Sequence, residues 1–210
     1  MKRGLYAITG EELHPNREMV EVMEEVLLGG ASALQLRDKS SSKYDLIQKG
    51  RALKRLASRF GVPFFMNDHL DVALAVDADG VHFGQGDFPL IEARKLLGHQ
   101  KIIGISTHSI EQAQEAERNG ANYIGVGPVF QTNTKIDAER AIGVSGFQEI
   151  ASSVRIPTVA IGGINEQNAS DIIRAGAKQL AVISGVVAKD NVKEAAKYYT
   201  NLYDGERNNV

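Results

Sequence analysis

The sequence predicts an α/β protein, a single (β/α)8 barrel of the TIM type. Three observations predict it. The chain of 210 residues contains eight short apolar runs, segments with helical periodicity separate these runs, and polar or glycine-rich clusters stand only where each run finishes. In such a barrel the active site is built at the carboxyl ends of the strands. The residues that follow each run are therefore the candidates for a functional site.

The apolar runs have the length expected of short, buried strands in a parallel sheet. The chain between one run and the next is long enough for a crossover connection, which parallel strands require. In order, the runs span Leu5–Thr9, Ala33–Lys39, Pro63–Asp68, Gly80–Asp87, Ile102–His108, Tyr123–Pro128, Thr158–Ile164 and Leu180–Gly185.

Between these runs, apolar residues recur at spacings of three and four, which predicts amphipathic helices. Ser109 followed by Gln112 has the pattern of a capping box, and Asn165 is a second candidate cap. Right-handed crossovers then place successive strands side by side. The predicted helical segments are Asn16–Leu28, Tyr44–Ser58, Pro89–Leu97, Ser109–Arg118 and Asn165–Arg174.

Composition indicates one domain, predicted over residues 1–203, followed by a polar tail at 204–210 that we expect to fray. The formal net charge of −2 does not favour a nucleic-acid or membrane surface. The absence of cysteine excludes disulfides and thiolate metal sites, and it fits a cytoplasmic protein. We find neither an apolar stretch of the roughly 18 residues that span a bilayer nor a signal-peptide pattern.

Glycine-rich clusters lie at the ends of the seventh and eighth runs. Gly162 and Gly163 lie near the end of the seventh run, and Ser184 and Gly185 end the eighth. In barrels these two loops often bind a phosphate group through backbone N–H groups, which glycine leaves accessible. The alternative is that the glycines only make tight turns.

The connection from Gly127 to Gly143 is too long for a simple turn, and loops of this length are often functional. It carries Thr132, Thr134 and Lys135, two hydroxyls and one cation that could cover an anionic group. The alternative is a solvated, flexible loop.

Gln35, Arg37 and Lys39 alternate along the second run, which places them on one side of the strand, facing the barrel mouth, while Leu36 faces the helices. Two inward cations are unfavourable without an anionic partner. We therefore expect an anionic ligand, and the alternative is an internal ion pair with Asp68.

Asp68 and Asp87 end the third and fourth runs. Two carboxylates on neighbouring strand ends can hold Mg²⁺, which takes one or two carboxylates together with phosphate oxygens and water. Together with the cations they indicate a diphosphate–Mg²⁺ complex. The alternatives are that Asp68 caps a helix, and that Asp87 is an N-cap with Pro89 at the first helical position.

Ser106 and His108 follow the fifth run, but no nucleophile elbow or orienting acid accompanies them. We therefore expect Ser106 to hydrogen-bond a diphosphate rather than to act as a nucleophile. His108 is either a base or an ordinary residue at a helix start. We interpret His82, within the fourth run, as a satisfied core histidine.

Taken in order, these clusters resemble the motifs of thiamine-phosphate synthases, from about Tyr6 to Ala188. The combination is far more specific than any single motif. Gly10, His69 and Gln131 depart from the residues usual in that family without removing an implied ligand. The resembling segments are YAIT, QLRDK, ND, GVHFGQGD, GISTHS, GANYIGVGPVF, TNTK, VAIGGIN and AVISG.

The resemblance implies a transferase that joins the hydroxymethylpyrimidine group of a diphosphate to a thiazole phosphate, forming thiamine phosphate and diphosphate. The implied route is dissociative: diphosphate leaves first, and the thiazole nitrogen attacks a pyrimidine cation. Mg²⁺ is the implied cofactor and the partners are small-molecule substrates, while homo-oligomerisation stays open.

Carried over motif by motif, the resemblance also implies three groups of site residues. Asp68 and Asp87 would bind Mg²⁺. Thr132, Thr134, Gly163, Ile183 and Ser184 would bind the thiazole phosphate. The pyrimidine diphosphate would be bound by Gln35, Arg37, Lys39, Asn67, Ser106 and Lys135, with Arg37, Lys39, Ser106 and Lys135 acting in catalysis.

Two other functions stay open. The related thiazole tautomerase, an isomerase with the same fold, resembles this chain around His108, which would be its acid/base residue. It needs neither Mg²⁺ nor a diphosphate site, so the joint presence of the two aspartates and the three cations favours the synthase. A non-catalytic ligand-binding barrel would tolerate loss of those residues, and none is lost.

Overall fold

The structure is a computed structural model that describes residues 1–132 and 139–207. It is a closed barrel of parallel strands in the order β1 to β8, which confirms the predicted (β/α)8 fold. The barrel closes where β8 pairs with β1, with Tyr6 opposite Ala181. The strands are β1 Gly4–Ile8, β2 Ala33–Leu36, β3 Phe64–Asn67, β4 Gly80–Phe83, β5 Ile102–Thr107, β6 Tyr123–Val126, β7 Thr158–Ile161 and β8 Gln179–Val182.

The helices alternate with the strands. A short 3₁₀ helix, Glu11–Leu13, follows β1. The last helix continues to Arg207, into the segment predicted as a polar tail. None of the helices in residues 1–132 and 139–207 is long and apolar enough to cross a membrane. The helices are α1 Met19–Leu28, α2 Lys43–Phe60, α3 Leu70–Ala75, α4 Leu90–Leu97, α5 Ile110–Arg118, α6 Gly143–Ser152, α7 Ala169–Arg174, α8 Ser184–Val187 and α9 Val192–Arg207.

Local caps explain where two of these helices begin. The Ser42 side chain accepts a hydrogen bond from the Asp45 amide at the start of α2, and Ser109 does the same for the Gln112 amide at the start of α5. The Gln112 side chain accepts from the amide of His108 at 2.8 Å, one residue earlier than a standard capping box predicts. The Ser109 cap is therefore confirmed, and its glutamine also fixes the end of β5.

The main hydrophobic core lies between the strands and the surrounding helices. Leu34 and Leu36 of β2 and Phe64 and Met66 of β3 all point outward into it, and each is fully buried. The predicted outward position of Leu36 is confirmed. Burying a side chain of this size contributes about 1.5–3 kcal/mol, so this outer layer dominates the stabilisation of the barrel.

A second, smaller core fills the barrel interior. The rings of Tyr6 and Phe65 stack with centroids 5.5 Å apart, and Phe65 meets Tyr123 edge-on at 5.7 Å. We call these three residues the aromatic floor. Gly104 makes room for it, because a Cβ at that position would lie 2.1 Å from Cζ of Tyr123. The floor closes the interior beneath the barrel mouth.

Polar groups at the opposite, N-terminal end of the barrel are paired with one another. The Arg94 guanidinium donates to the carbonyl oxygens of Gly98, Lys101 and Gly120 and to Oδ1 of Asn122, at 2.6–2.9 Å. At the same end, Lys54 of α2 donates to Asp79 at 2.7 Å, and the other oxygen of Asp79 accepts from the Phe64 amide.

Candidate active site

One cavity opens at the carboxyl ends of the strands, and residues from all eight strands or the loops after them line it. Every predicted site residue that the structure describes lies on this cavity. Thr134 and Lys135 lie outside the described residues, so their placement stays a prediction. The lining residues that the sequence predicted are Gln35, Arg37, Lys39, Asn67, Asp68, Asp87, Ser106, Thr132, Gly163, Ile183 and Ser184.

The three predicted residues of the β2 end enter the cavity at different depths. Gln35 is only 2% exposed, and its Nε2 donates to the Tyr6 hydroxyl at 3.0 Å. Arg37 is half-buried and Lys39 is exposed at the rim. The side chains therefore alternate along the strand as predicted. The Gln35 amide lies at the aromatic floor, and Arg37 and Lys39 lie above it.

A continuous row of hydrogen bonds crosses the interior from β2 to β5. Tyr6 and Tyr123 share a bond of 2.9 Å between their hydroxyls, His82 Nδ1 lies 2.9 Å from the Tyr123 hydroxyl, and His82 Nε2 lies 2.9 Å from Oγ of Ser106. Since Tyr6 accepts from Gln35, one direction satisfies the whole row: Tyr6 donates to Tyr123, Tyr123 donates to Nδ1, and the Nε2–H donates to Ser106.

This row changes the interpretation of His82. Both of its ring nitrogens are satisfied, as predicted, yet its side chain also lines the cavity. In the direction given above, Ser106 accepts from His82 and keeps its own O–H to donate toward a ligand. Sequence reasoning missed Tyr6 and Tyr123, because an inward tyrosine in a barrel strand has the same pattern as any other buried aromatic residue.

Asp68 and Asp87 lie close enough for their carboxyl groups to share a hydrogen bond. The pKa of Asp68 is raised to about 6, first by burial and then by the hydrogen bond and negative charge of Asp87, while the charges of Lys39 and Arg37 oppose the shift. Two carboxylates this close cannot both ionise freely without a cation between or beside them. A cation beside the pair would therefore favour the ionised form of both groups.

The backbone presents Asp68 in an unusual conformation. Its φ is 61°, in the left-handed region that non-glycine residues rarely adopt. Its amide donates to the His82 carbonyl at 2.9 Å, and the next amide, of His69, returns to the Asn67 carbonyl at 2.7 Å. Such a conformation persists only where surrounding bonds enforce it, and it concentrates at functional sites.

The structure contradicts both capping alternatives for the aspartates. The N-cap of α3 is His69, with no side-chain cap, so Asp68 does not cap a helix. The N-cap of α4 is Pro89 itself, with extended ψ of 127°, so the helix begins at Leu90 and Pro89 is not its first helical residue. Asp87 instead accepts from the Gly84 amide at 2.6 Å and closes the turn after β4.

The residue predicted to cap α7 is not the one found at that position. The helix begins at Ala169 with Asn168 at its N-cap position, not at Asn165. The Asn168 side chain accepts from the Asn165 amide at 2.8 Å and donates to the Gly163 carbonyl at 3.0 Å. Residues 165–168 form a turn that supports the β7 loop, because the Asn168 side chain bonds backward into that loop rather than forward into the helix.

The residues present fit a Mg²⁺ ion. In the part of the chain that the structure describes, no group of three or more His, Cys, Asp and Glu side chains could hold a metal by itself. Mg²⁺ needs no such group, since it typically takes one or two carboxylates and fills its remaining positions with substrate phosphate and water. Asp68 and Asp87 supply that number.

The glycine-rich ends of β7 and β8 form another part of the cavity wall. Gly163 has φ 61°, and a Cβ there would lie 2.5 Å from the Gln131 carbonyl oxygen. Gly162 has φ 100°, and a Cβ there would lie 2.5 Å from Pro128. Both glycines are therefore also required for the β7 loop to pack against the loop after β6. Ser184 begins α8, whose first amides have no acceptor within the helix itself.

His108 also lines the cavity, beside the end of β6. Its Nδ1 is hydrogen-bonded to the carbonyl oxygen of Gly127. Because a carbonyl only accepts, Nδ1 carries the proton, and the neutral ring has its lone pair on Nε2. His108 is thus held in one tautomer.

Known proteins resemble the chain over nearly its whole length. Residues 5–186 match the family model described as thiamine monophosphate synthase. A thiamine-phosphate synthase of Shouchella clausii is 56% identical over 193 residues, 92% of each chain, and one of Halalkalibacterium halodurans is 50% identical over 200 residues, 95% of each. The solved thiamine phosphate pyrophosphorylase of Pyrococcus furiosus superposes with a TM-score of 0.88 at 40% identity, covering 96% of each chain. The chain belongs to the thiamine monophosphate synthase family.

Proposed function

We propose that this chain transfers the hydroxymethylpyrimidine group from its diphosphate to thiazole phosphate, with Mg²⁺, giving thiamine phosphate and diphosphate. One observation carries the proposal beyond the family: a single cavity brings together two cations, Arg37 and Lys39, a pair of hydrogen-bonded carboxylates, Asp68 and Asp87, and a glycine-rich wall. Diphosphate with a divalent cation matches the first two features, and a monophosphate matches the third.

The leaving diphosphate would lie at the cationic side of the cavity. Arg37 offers a planar fork of donors and Lys39 a mobile point charge, and both suit phosphate oxygens. Ser106, whose Oγ lies 2.9 Å from Nε2 of His82, would donate one more hydrogen bond. These groups stabilise the negative charge that grows on diphosphate as its bond to the pyrimidine breaks.

Asp68 and Asp87 would hold Mg²⁺ against the same diphosphate. The bound ion would supply charge neutralisation on the leaving group. The chain's own part is to keep the two carboxylates side by side through the Asp68 turn and the Asp87–Gly84 hydrogen bond. A bound Mg²⁺ would favour the ionised form of both carboxyl groups.

The pyrimidine ring would rest against the polar row above the aromatic floor, within reach of the Gln35 amide and of Asn67. The thiazole phosphate would bind the glycine-rich wall, at Thr132, Gly163, Ile183 and Ser184, with the predicted help of Thr134 and Lys135. Holding the two reactants across one cavity replaces a bimolecular encounter with an oriented one, which can contribute several kcal/mol. Both substrates carry phosphates and dissolve in water, so we place the reaction in the cytoplasm.

The test is an assay of purified protein with hydroxymethylpyrimidine diphosphate, thiazole phosphate and Mg²⁺, reading both products. We expect thiamine phosphate and diphosphate in equal amounts, with EDTA abolishing both and added Mg²⁺ restoring them. Binding of either substrate without any product would contradict the proposal and favour the ligand-binding barrel.

A second function, thiazole tautomerisation, is favoured by the fixed tautomer of His108, whose Nε2 could take a proton. His108→Ala separates the two functions. A tautomerase would lose its activity, whereas the synthase, whose proposed steps do not use His108, would keep most of its rate. Loss of product formation in this variant, with both substrates still bound, would place His108 in the main reaction.

A further inference from the structure

Asp38 lies between the two cations in sequence but on the opposite side of the chain. Arg37 and Lys39 line the cavity, whereas the Asp38 side chain turns away from it toward α2 and is only 6% exposed. It does not reach the ligand cavity, so neither the proposed binding of diphosphate nor that of Mg²⁺ uses it.

The Asp38 carboxylate accepts five hydrogen bonds. Oδ1 accepts from the amides of Ser40 and Ser41 at 2.9 and 3.0 Å and from the Ser40 hydroxyl at 3.1 Å. Oδ2 accepts from the Ser41 hydroxyl at 2.6 Å and from Lys49 at 2.7 Å. The bond from Oδ1 to the amide two residues on is an Asx turn, which encloses Lys39 and fixes its backbone.

Lys49 of α2 ties this turn to the body of the barrel. Besides Asp38, it donates to Ser41 at 3.1 Å and to Glu11, the first residue of the 3₁₀ helix after β1. Burial disfavours both charges, but the bond to Lys49 and those from the serines outweigh it and hold the pKa of Asp38 well below its usual range. The surroundings of Asp38 therefore favour its ionised form, which accepts all five hydrogen bonds.

Arg37 has a separate anchor on its other side. Thr9, buried at the end of β1, accepts from the Arg37 amide at 2.9 Å and donates to the Arg37 carbonyl at 3.1 Å. The two cations of the mouth are thus held by different groups, Arg37 by Thr9 and Lys39 by the Asp38 turn.

We propose that Asp38 is a positioning residue for the diphosphate-bearing substrate: it acts through Lys39, whose direction into the cavity it sets, and Lys49 holds it in place. This inference rests on the proposed function, in which Lys39 binds the diphosphate. Lys39 is an exposed, flexible side chain at the rim, so its contribution depends on how well its backbone is held.

The first experiment compares steady-state constants of the wild type and Asp38→Ala. We expect KM for hydroxymethylpyrimidine diphosphate to rise about tenfold, the factor for one misdirected charge-assisted contact. KM for thiazole phosphate should stay unchanged, because its wall lies on β7 and β8. A variant that is only less stable would lose active protein without this selective rise.

A double-mutant comparison then tests whether Asp38 acts through Lys39. In a Lys39→Ala background, Asp38→Ala should change KM for hydroxymethylpyrimidine diphosphate by less than about twofold, because the side chain that Asp38 positions is absent. Full additivity of the two effects would overturn the proposal. Asp38→Asn retains the Oδ1 acceptor of the turn but loses the ion pair with Lys49, so its KM should lie between those of the wild type and Asp38→Ala.

The chain offers a matched control in Asp79, which also pairs with a lysine of α2, Lys54, but at the other end of the barrel. Asp79→Ala should lower the melting temperature and leave both KM values unchanged. Lys49→Met should raise KM for hydroxymethylpyrimidine diphosphate, as Asp38→Ala does. It replaces Asp38→Ala in the test if that variant does not fold. A lowered melting temperature with unchanged KM in both variants would show that Asp38 is structural only.

Titration with inorganic diphosphate and Mg²⁺ separates this inference from the proposed function. The wild type could bind diphosphate without making thiamine phosphate, while Asp38→Ala weakens that binding about tenfold. The proposed reaction would then be wrong, and the positioning role of Asp38 would stand. If the wild type binds diphosphate and the variant binds it equally well, the positioning role is wrong. Failure of the wild type both to bind and to react would overturn both.

Discussion

Charged side chains are arranged differently at the two ends of the barrel. At the N-terminal end, Arg94 has four acceptors within 2.9 Å and Lys54 is paired with Asp79. At the mouth, two carboxyl groups lie side by side and two cations face an open cavity. The first arrangement is complete within the chain and stabilises the fold. In the function that we propose, the second is completed by a ligand that carries both a cation and phosphate oxygens.

Helix α2 shows the same contrast, because it carries two lysines that pair with aspartates in different surroundings. Lys54 and Asp79 join the helix to the start of a strand, whereas Lys49 and Asp38 join it to a loop whose cations line the cavity. Similar pairs with similar distances thus serve different purposes, and the surroundings of each pair decide which. Substitutions at the two ends should therefore change different measured quantities.

The largest effect should come from the carboxylate pair. We expect Asp68→Ala or Asp87→Ala to lower Mg²⁺-dependent turnover by at least about 100-fold, because the metal loses one of its two protein ligands. The melting temperature without metal should stay the same or rise, since a like-charge contact is removed. Parallel turnover assays and thermal melts in EDTA check this. A near-normal rate in either variant would mean that the pair does not bind the metal.

The next effect concerns the glycine wall. Gly163→Val should raise KM for thiazole phosphate by about tenfold or more, because a side chain at φ 61° meets the Gln131 carbonyl and displaces the loop. The affinity for inorganic diphosphate, bound elsewhere in the cavity, should change little. Calorimetric titration with each ligand distinguishes the two sites, and equal losses for both would show that the whole mouth had been deformed.

A smaller effect is expected at the N-terminal end. Arg94→Met removes four hydrogen bonds, but water can replace the guanidinium at several of these acceptors. We expect the free energy of unfolding to fall by about 2 kcal/mol. Denaturant unfolding measures this loss, while both KM values should match those of the wild type. A change in KM would contradict the division of roles between the two ends.

The smallest effect is a pH dependence of the metal-free protein. The pKa of Asp68 is raised to about 6, from an ordinary value of 3.8. Its contribution to stability is therefore fully present below about pH 4 and is lost as the pH rises through about 6. The loss should be on the order of 1 kcal/mol, since solvent screens a half-buried group.

Thermal melts in EDTA from pH 4 to 7 test this, with Asp68→Asn as the comparison. The wild type should lose stability relative to the variant across this range, and the difference should shrink when Mg²⁺ is added at pH 7. Parallel curves for the two proteins would mean that Asp68 titrates at its ordinary pKa.

The barrel and most of the mouth were predictable because both follow from periodicity. Apolar runs with polar ends define the strands, and strict alternation places Gln35, Arg37 and Lys39 on one side whatever the rest of the molecule does. Asp68 and Asp87 were predictable as neighbours because consecutive strands of a parallel barrel lie side by side. The segment 133–138, with Thr134 and Lys135, lies outside the described residues, so those ligands stay predictions.

Capping predictions failed where a side chain had two possible partners. Asp87 has the sequence of an N-cap, yet it bonds backward to Gly84 and leaves Pro89 at the cap position. Asn165 was predicted to cap α7, but the helix begins three residues later than that cap requires, and the Asn168 side chain bonds backward to the β7 loop. Local sequence specifies that such a residue ends a turn, but the energies of the competing hydrogen bonds are too similar for sequence to choose between them.

By itself, the sequence determined the fold class, the end of the barrel that carries the site and the kinds of charge found there, because each depends on local periodicity and strand order. Only the tertiary structure decided how those groups meet: the row from Gln35 to Ser106, the shared hydrogen bond of Asp68 and Asp87, and the bond of Asp38 to Lys49. These contacts join residues from separate strands and helices. Their distances are set by barrel closure and by packing around the aromatic floor, which no local pattern encodes.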